Sequence, residues 1–488
     1  MNKGFLLLAV LLPIVGGVCQ RFFRWRRARD LHLYVGAVTL VTSLLTWALI
    51  LWCPEERFVL LSFTESLAFV LRFDQLGRFF AGIVATLWPL TVLYAFEYMR
   101  DDARPNVFFI FFTMAYGVTL GITMAGNLFT LYCFYELLTL TTVPLVLHPG
   151  TRGAILGART YFIYSLGGAA FAFAAMLFLV SNGFTGDFVL GGVLTTYPYA
   201  KPYLTMAFYV LGFFGFGVKA ALFPTSRWLP QASVAPTPVT ALLHAVAVVK
   251  SGAFAIMRLT WYSYSPRLLE GSWAQAVVLI FSAFTILYGA SRAVKESHWK
   301  RRMAWSTVAN LSYILFGVAL MTPEGLSAGL LHMAFHAEIK ILAFFCVGAV
   351  LHNTGREYIL DLNGLGRKMP LTFAFFTVAS LALIGIPPLS GFVSKWSLLM
   401  AAADSGTPLA YAGAVILLVS ALLTAIYCLT TVCRAWFPEH GSEHGLAGIR
   451  EVGWRMLVPM GILAAAILLT GVFAQPIADA ARAIAGLL

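Results

Sequence analysis

Hydrophobic positions in this chain run in long unbroken stretches, not in the short alternating or one-sided helical patterns of a water-facing domain. A helix needs about 20 apolar residues to cross a bilayer. Fourteen such stretches can be drawn, at 4–20, 31–53, 78–97, 107–127, 128–147, 160–181, 204–224, 237–257, 272–292, 304–321, 325–352, 371–399, 408–433 and 454–475. They predict an all-α polytopic membrane protein with about 14 transmembrane helices. Two stretches are interrupted in a related way. The seventh runs GFFGFGVKAALFPTSRWLPQASVAPTP, with Pro224, Pro230, Pro236 and Pro238 after Lys219; the twelfth runs LALIGIPPLSGFVSKW, with Pro387 and Pro388 before Lys395. Proline inside a helix frees backbone carbonyls, which a membrane tolerates only against protein or a wet cavity. Paired interruptions predict an inverted repeat with its pathway at the breaks. The units are helices 4–8 (107–257) and helices 9–13 (272–435), each broken in its fourth helix. Helices 1–3 (1–106) and helix 14 (436–488) flank them.

Composition agrees with the pattern: 60% hydrophobic and 11% charged residues, with a mean hydropathy of +0.83, lie outside the range of a soluble domain. The net charge of +12 would suit nucleic acid, but its placement follows the membrane and excludes that partner. One set of loops carries clusters such as Arg21, Arg24, Arg26, Arg27 and Arg29, or Lys300, Arg301 and Arg302. The opposite segments hold scattered residues, among them Lys3, Arg57, Arg72, Arg78, Arg258 and Arg267. The positive-inside rule then places the N-terminus, and after 14 spans the C-terminus, on the extracytoplasmic side, with basic loops against anionic lipid headgroups. No small-residue cleavage site follows the first span, so it is expected to be a retained helix. The six cysteines form no CxxC, and no phosphate loop, nucleotide fingerprint or Ser/His/Asp arrangement stands out. No cofactor or metal is expected; any redox chemistry belongs to a partner.

Five ionisable residues stand inside these apolar stretches: Glu136, Lys219, Lys250, Lys340 and Lys395. Each costs roughly 2.5–3.5 kcal/mol at a helix centre unless paired or hydrated, so a chain that keeps them is expected to move charge through them. Glu136, in LYCFYELLTLTTVPLV, lies about 12 Å into the fifth span. Hydrogen bonding to Thr139 or Thr141 is one reading. Pairing with Lys219 or Lys250 is the other, and a pair that is stable closed but unpaired open acts as a switch. His244, on the same span as Lys250, is either a relay or a packed histidine. In the eleventh span, LHMAFHAEIKILAFF sets His332, His336 and Lys340 four residues apart, along one face. An HxxxH pair can ligate zinc, but the HExxH glutamate and a third ligand are lacking, so the stripe is read as a proton wire. Glu338 falls elsewhere on that helix and should face a neighbour. Lys395 lies late in its span, as an exit gate or as an interfacial anchor beside Trp396.

Taken in order, these motifs resemble one family: the antiporter-like subunits shared by respiratory complex I, Mrp-type cation/proton antiporters and membrane-bound energy-converting hydrogenases. The resemblance covers about 107–400. It rests on FYELLTL, KAALFPTSRWLPQASVAPTPVTALLHAVAVVKSG, KRRMAWSTVANLSYI, HMAFHAEIKILAFFCVG and GLGRKMPLTF followed by GIPPLSGFVSKW. It implies that Glu136 and Lys219 are the coupling pair, Lys250 the connecting lysine, His336 and Lys340 the central relay, and Lys395 the terminal lysine. Two departures stand out. Ser226 occupies a position where the family usually has histidine, and Glu338 adds an acid that many relatives lack. The chain stops soon after span 14, so the long lateral helix of the largest relatives is not expected.

The resemblance implies a proton-translocating subunit in a bacterial or archaeal cell membrane. Its partners would be other membrane subunits, homologous antiporter-like ones included, with a peripheral redox module as a further candidate. Protons would be taken up near Lys219, pass Lys250 and the His332, His336 and Lys340 stripe, and leave by Lys395. Na⁺/H⁺ exchange of the Mrp kind is the alternative; a non-conducting scaffold or quinone-site subunit is the second.

Overall fold

The apolar stretches fold as helices in a computed structural model that describes residues 4–23, 25, 27–64, 67–184, 186–194, 196, 201–438, 446 and 448–487. Lys3, Arg24 and Arg26, counted above among the loop charges, lie outside the described residues. Among the described residues, ten helices are long and apolar enough to cross a membrane, and three shorter apolar ones cover Gly4–Gln20, Pro202–Gly217 and Pro370–Ile384.

The first part of the chain contains α1 (Gly4–Gln20), α2 (Ala28–Trp52) and α3 (Gln75–Tyr98). Between α2 and α3, β1 (Phe58–Ser62) and β2 (Ala68–Leu71) pair antiparallel, with Phe58 opposite Leu71 and Ser62 opposite Ala68. No strand was expected in this loop. It is held by the next helices: α4 (Pro105–Thr123) is followed by Asn127, whose side-chain amide donates to Ala68 O and whose oxygen caps α5 (Leu128–Leu147), each at 2.8 Å. After α6 (Arg152–Ser181) come α7 (Pro202–Gly217), a short α8 (Trp228–Ala232), α9 (Thr237–Ala245) and α10 (Val248–Arg258).

A short α11 (Pro266–Leu269) leads to α12 (Trp273–Lys295), α13 (Trp299–Ala319) and α14 (Pro323–Thr354). Then follow α15 (Leu365–Lys368), α16 (Pro370–Ile384), α17 (Ser390–Asp404), α18 (Pro408–Trp436), α19 (Trp454–Val472) and α20 (Gln475–Ala485). The centre of the molecule is α14, packed by α3, α9, α13, α16, α17, α19 and α20. Its ends are written in sequence. The Thr322 hydroxyl accepts from Gly325 N at 3.1 Å, Pro323 opens the first turn, and Gly355 closes the helix at φ +68°. Leucines such as Leu44 and Leu422, 63% and 69% exposed on α2 and α18, give the periphery an apolar surface suited to lipid.

Three expectations change. The eighth span was expected to be one helix over 237–257, yet it breaks at Val246 (φ −137°, ψ −61°), where Leu242 O accepts from both Val246 N and Ala247 N. No proline or glycine marks that break. Arg258, Lys300 and Arg302, assigned to loops by charge, are 0%, 5% and 8% exposed. Each has found oxygen inside the protein. Lys300 Nζ donates to Ala235 O at 2.5 Å, Arg302 Nε to Glu296 O at 2.8 Å, and Arg258 makes a two-pronged pair with Asp74 at 2.5 and 2.6 Å. The third change is the hairpin.

The Asp74–Arg258 pair ties the start of α3 to the end of α10, and Asp74 also accepts from Gly77 N at 2.9 Å. Breaking one side of a buried pair costs roughly 3–5 kcal/mol because the other charge is stranded. Arg258→Met should therefore lower the unfolding temperature of the purified complex, and the double variant with Asp74→Asn should recover much of the loss. Equal melting of wild type and Arg258→Met would refute the assignment.

Candidate functional site

Breaks in the helices position the charged side chains. At the end of α7 the backbone leaves helical geometry, and Val218 O accepts from both Ala221 N at 3.0 Å and Trp228 Nε1 at 2.7 Å. Lys219 sits in this break, wholly buried. Its ammonium lies 3.4 Å from the centre of the Tyr135 ring, donates to Tyr135 O, and is 3.9 Å from Glu136 Oε1. The Glu136 side chain is 25% exposed, against 0% for Lys219, and Glu136 Oε1 has no hydrogen-bond partner among the described residues. The carboxylate is therefore loosely held while the lysine is anchored. Ser226, in the turn beyond the break (Thr225–Arg227), is buried, and its hydroxyl has no partner among the described residues.

The neighbouring helix reaches this break closely. A Cβ on Gly252 would stand 2.5 Å from Ala220 N, so only glycine lets α10 pack there, two residues after Lys250. Lys250 Nζ meets His336 Nδ1 of the central helix α14 at 2.8 Å. The His336 and His332 rings stack at 5.7 Å. His332 Nδ1 is 2.9 Å from Ser394 Oγ, and its ring stacks on Tyr313 at 5.3 Å. Lys395, beside Ser394, lies 5.4 Å from the centre of that same tyrosine ring. Its Nζ donates to Leu383 O and Ile384 O at 2.6 and 3.1 Å, carbonyls left free where α16 ends.

Thus Lys250, His336, His332 and Ser394 are joined in turn, and Lys395 approaches the line across the Tyr313 ring on which His332 stacks. Nε2 of both histidines is buried without a hydrogen-bond partner among the described residues. Lys340 leaves this line. It turns to α13 and donates to Met303 O at 3.1 Å and to Ser306 Oγ. His244 Nε2 is 3.2 Å from Ser233 Oγ, and its ring packs on Phe344. Glu338 faces away, accepting from Thr470 Oγ1 at 2.7 Å.

Sequence reasoning missed Ser233, Ser394 and Tyr313, since hydroxyls in apolar helices are common and carry no mark. It also missed a cavity of about 580 Å³ at the end of the bundle where the basic loops gather. Asp102, His148, Ser233, His298, Lys300 and Glu357 line it. His148 Nε2 lies 3.0 Å from Asp102, and His298 Nε2 3.3 Å from Glu357. Burial pushes the His298 imidazole below its usual range, although Glu357 opposes the shift. Ser233 joins this polar cavity to His244.

A family model described as NADH:quinone oxidoreductase/Mrp antiporter, TM, matches residues 125–424. NADH-quinone oxidoreductase subunit N of Desulforudis audaxviator is 32% identical over 425 residues, covering 83% of this chain and 82% of that protein. Na(+)/H(+) antiporter subunit A1 of Staphylococcus aureus is 26% identical over 494 residues, 96% of this chain but 61% of the relative, so this chain spans about three fifths of its length. Among solved structures, a chain of the Mrp complex from a Dietzia species superposes with TM-score 0.85 at 21% identity, covering 99% of this chain and 97% of the other. A chain of Thermus thermophilus respiratory complex I with bound NADH gives 0.82 at 24% identity, covering 99% of each. These structural likenesses establish the fold.

Proposed function

The chain belongs to the membrane-subunit family of NADH:quinone oxidoreductases and Mrp antiporters, and from that premise we propose that it carries protons across the membrane within a multisubunit energy-converting complex. The observation that carries this reading is the buried line from Lys250 through His336, His332 and Ser394 to Lys395. Each member can give and take a proton; Lys250 to Ser394 lie within hydrogen-bond or ring-stacking reach of one another in turn, and Lys395 shares the Tyr313 ring with His332. Lys219 feeds the line, under the control of Glu136. The cavity at Ser233 and Lys300 supplies protons from the basic end by way of His244, and Lys340 biases the histidines from the side through its charge.

In this reading the bundle is two inverted five-helix units, 107–257 and 272–435, within a 14-span topology that leaves both termini extracytoplasmic. Two features support the repeat: the fourth helix of each unit is interrupted, and a lysine at each interruption donates to backbone carbonyls. Neighbouring subunits would push on Glu136, whose side chain reaches the surface of the bundle.

Na⁺/H⁺ exchange is the second reading, favoured by the antiporter subunit A1 alignment across 96% of this chain. Away from the span ends, Glu136 and Glu338 supply the carboxylate, which is a poor set for a hard cation. The purified complex in vesicles, energised by its own driving reaction and followed with a pH-sensitive dye, tests both. Protons should move equally in sodium and in choline medium, and His336→Ala should lower the rate by at least about 100-fold. Full activity of His336→Ala would remove the line from the mechanism, and an absolute sodium requirement would favour exchange.

A further inference from the structure

Away from the buried line, α2, α3, α14, α19 and α20 enclose a crevice of about 730 Å³ on the hairpin side of the bundle. Its walls are apolar: Phe79, Ile83 and Leu87 on α3, Phe335 on α14, and Ile477 and Ile484 on α20. α20 is an amphipathic strip. Ile477, Ala480 and Ile484 face the crevice, whereas Asp479 and Arg482 pair with each other on its exposed side at 3.2 Å. Arg78, in the first turn of α3, stands at one end of the crevice. Leu87 is nine residues further on, about 14 Å along the helix. That depth matches one leaflet of a hydrocarbon core about 30 Å thick.

Two charged groups line this space. Glu338 is already engaged by the Thr470 hydroxyl at 2.7 Å. Arg78 donates to Phe73 O and Cys53 O, at 3.1 and 2.5 Å, and among the described residues no carboxylate pairs with it. The cation stands at the end nearest the hairpin, over a long apolar slot, and the carboxyl lies on the α14 wall. We propose that this crevice is a binding site for an anionic phospholipid of the hairpin-side leaflet, with its phosphate on Arg78 and one acyl chain along α3 against α20.

Such a lipid would fill the gap between α20 and the bundle. It would also cover the wall that carries Glu338. The crevice can be closed without disturbing the backbone: a Cβ on Gly82 would meet only the tips of Trp47 and Ile50, at 3.6 and 3.7 Å.

The test uses the purified complex in phosphatidylcholine vesicles carrying a trace of phosphatidylglycerol with a photoactivatable diazirine on its acyl chain. After irradiation, peptide mass spectrometry should place label on the Phe79–Leu87 and Ile477–Ile484 segments. Gly82→Phe and Arg78→Gln should each reduce that label about tenfold, as loss of a charge-assisted contact or of the slot itself would. Glu338→Gln should leave it unchanged. The proposal is overturned if Gly82→Phe labels like wild type, if a diazirine phosphatidylcholine labels equally well, or if label depends on Glu338 and not on Arg78, which would indicate a cationic amphiphile. None of these readouts involves proton movement, so the result stands apart from the transport reading.

Discussion

Glu136→Gln is expected to abolish coupled proton movement while leaving the subunit assembled. The substitution keeps the shape of the side chain and removes only its charge. Lys219 would remain in place, because the Tyr135 ring and carbonyl hold it independently of the carboxylate. What disappears is an attraction across 3.9 Å, worth about 4 kcal/mol at an effective dielectric of 20. A switch works by spending the difference between its paired and unpaired states. Without that difference, movement of Glu136 by a neighbouring subunit no longer alters the hold on the Lys219 proton. An effect of that size corresponds to a loss of at least roughly two orders of magnitude in coupled turnover. Dye-monitored acidification of vesicles containing the purified variant complex measures it, with co-purification of the partner chains showing assembly. Unimpaired acidification would mean that Glu136 is a structural acid and that the drive reaches Lys219 elsewhere.

The reach of sequence reasoning is visible in the same residues. Glu136, Lys219, Lys250 and Lys395 could be picked out because a charge in an apolar stretch is conspicuous and costly, and the Pro-bearing breaks beside Lys219 and Lys395 because proline is equally conspicuous. The connections between them were illegible. Lys250 could have turned toward Glu136 or toward α14; only the packing of Gly252 against the α7 break, with the unannounced bend at Val246, aims it at His336. The i, i+4, i+8 stripe correctly put His332, His336 and Lys340 on one helix, but four-residue steps drift around the axis. That drift takes Lys340 onto α13 and leaves the histidines facing Lys250 and Ser394. Arg258 and Lys300 were misread for the converse reason. Near a span end, charge alone cannot separate a headgroup contact from a buried pair with Asp74 or a bond to Ala235 O. The hairpin over β1 and β2 was missed because its strands are only five and four residues long and depend on Asn127 and Thr130 of another element.

Lys395→Ala should also stop coupled proton movement, and here the informative comparison is Lys395→Arg. Two roles are superimposed at this position. The ammonium neutralises the Leu383 and Ile384 carbonyls at the broken end of α16, which is a structural duty. It is also the last titratable group after His332 and Ser394, which is a transport duty. Alanine removes both, and leaves two poorly satisfied carbonyls in an apolar setting. Arginine keeps the positive charge and the donors but holds its proton at any working pH. If Lys395 only pins the break, Lys395→Arg should assemble and pump. If it passes the proton on, Lys395→Arg should assemble and melt like wild type yet pump at least roughly 100-fold more slowly, as the alanine variant does. Vesicle acidification by the Arg variant, set beside its unfolding temperature, separates the two. Restored pumping would reassign Lys395 to the architecture of the break and move the exit to another group.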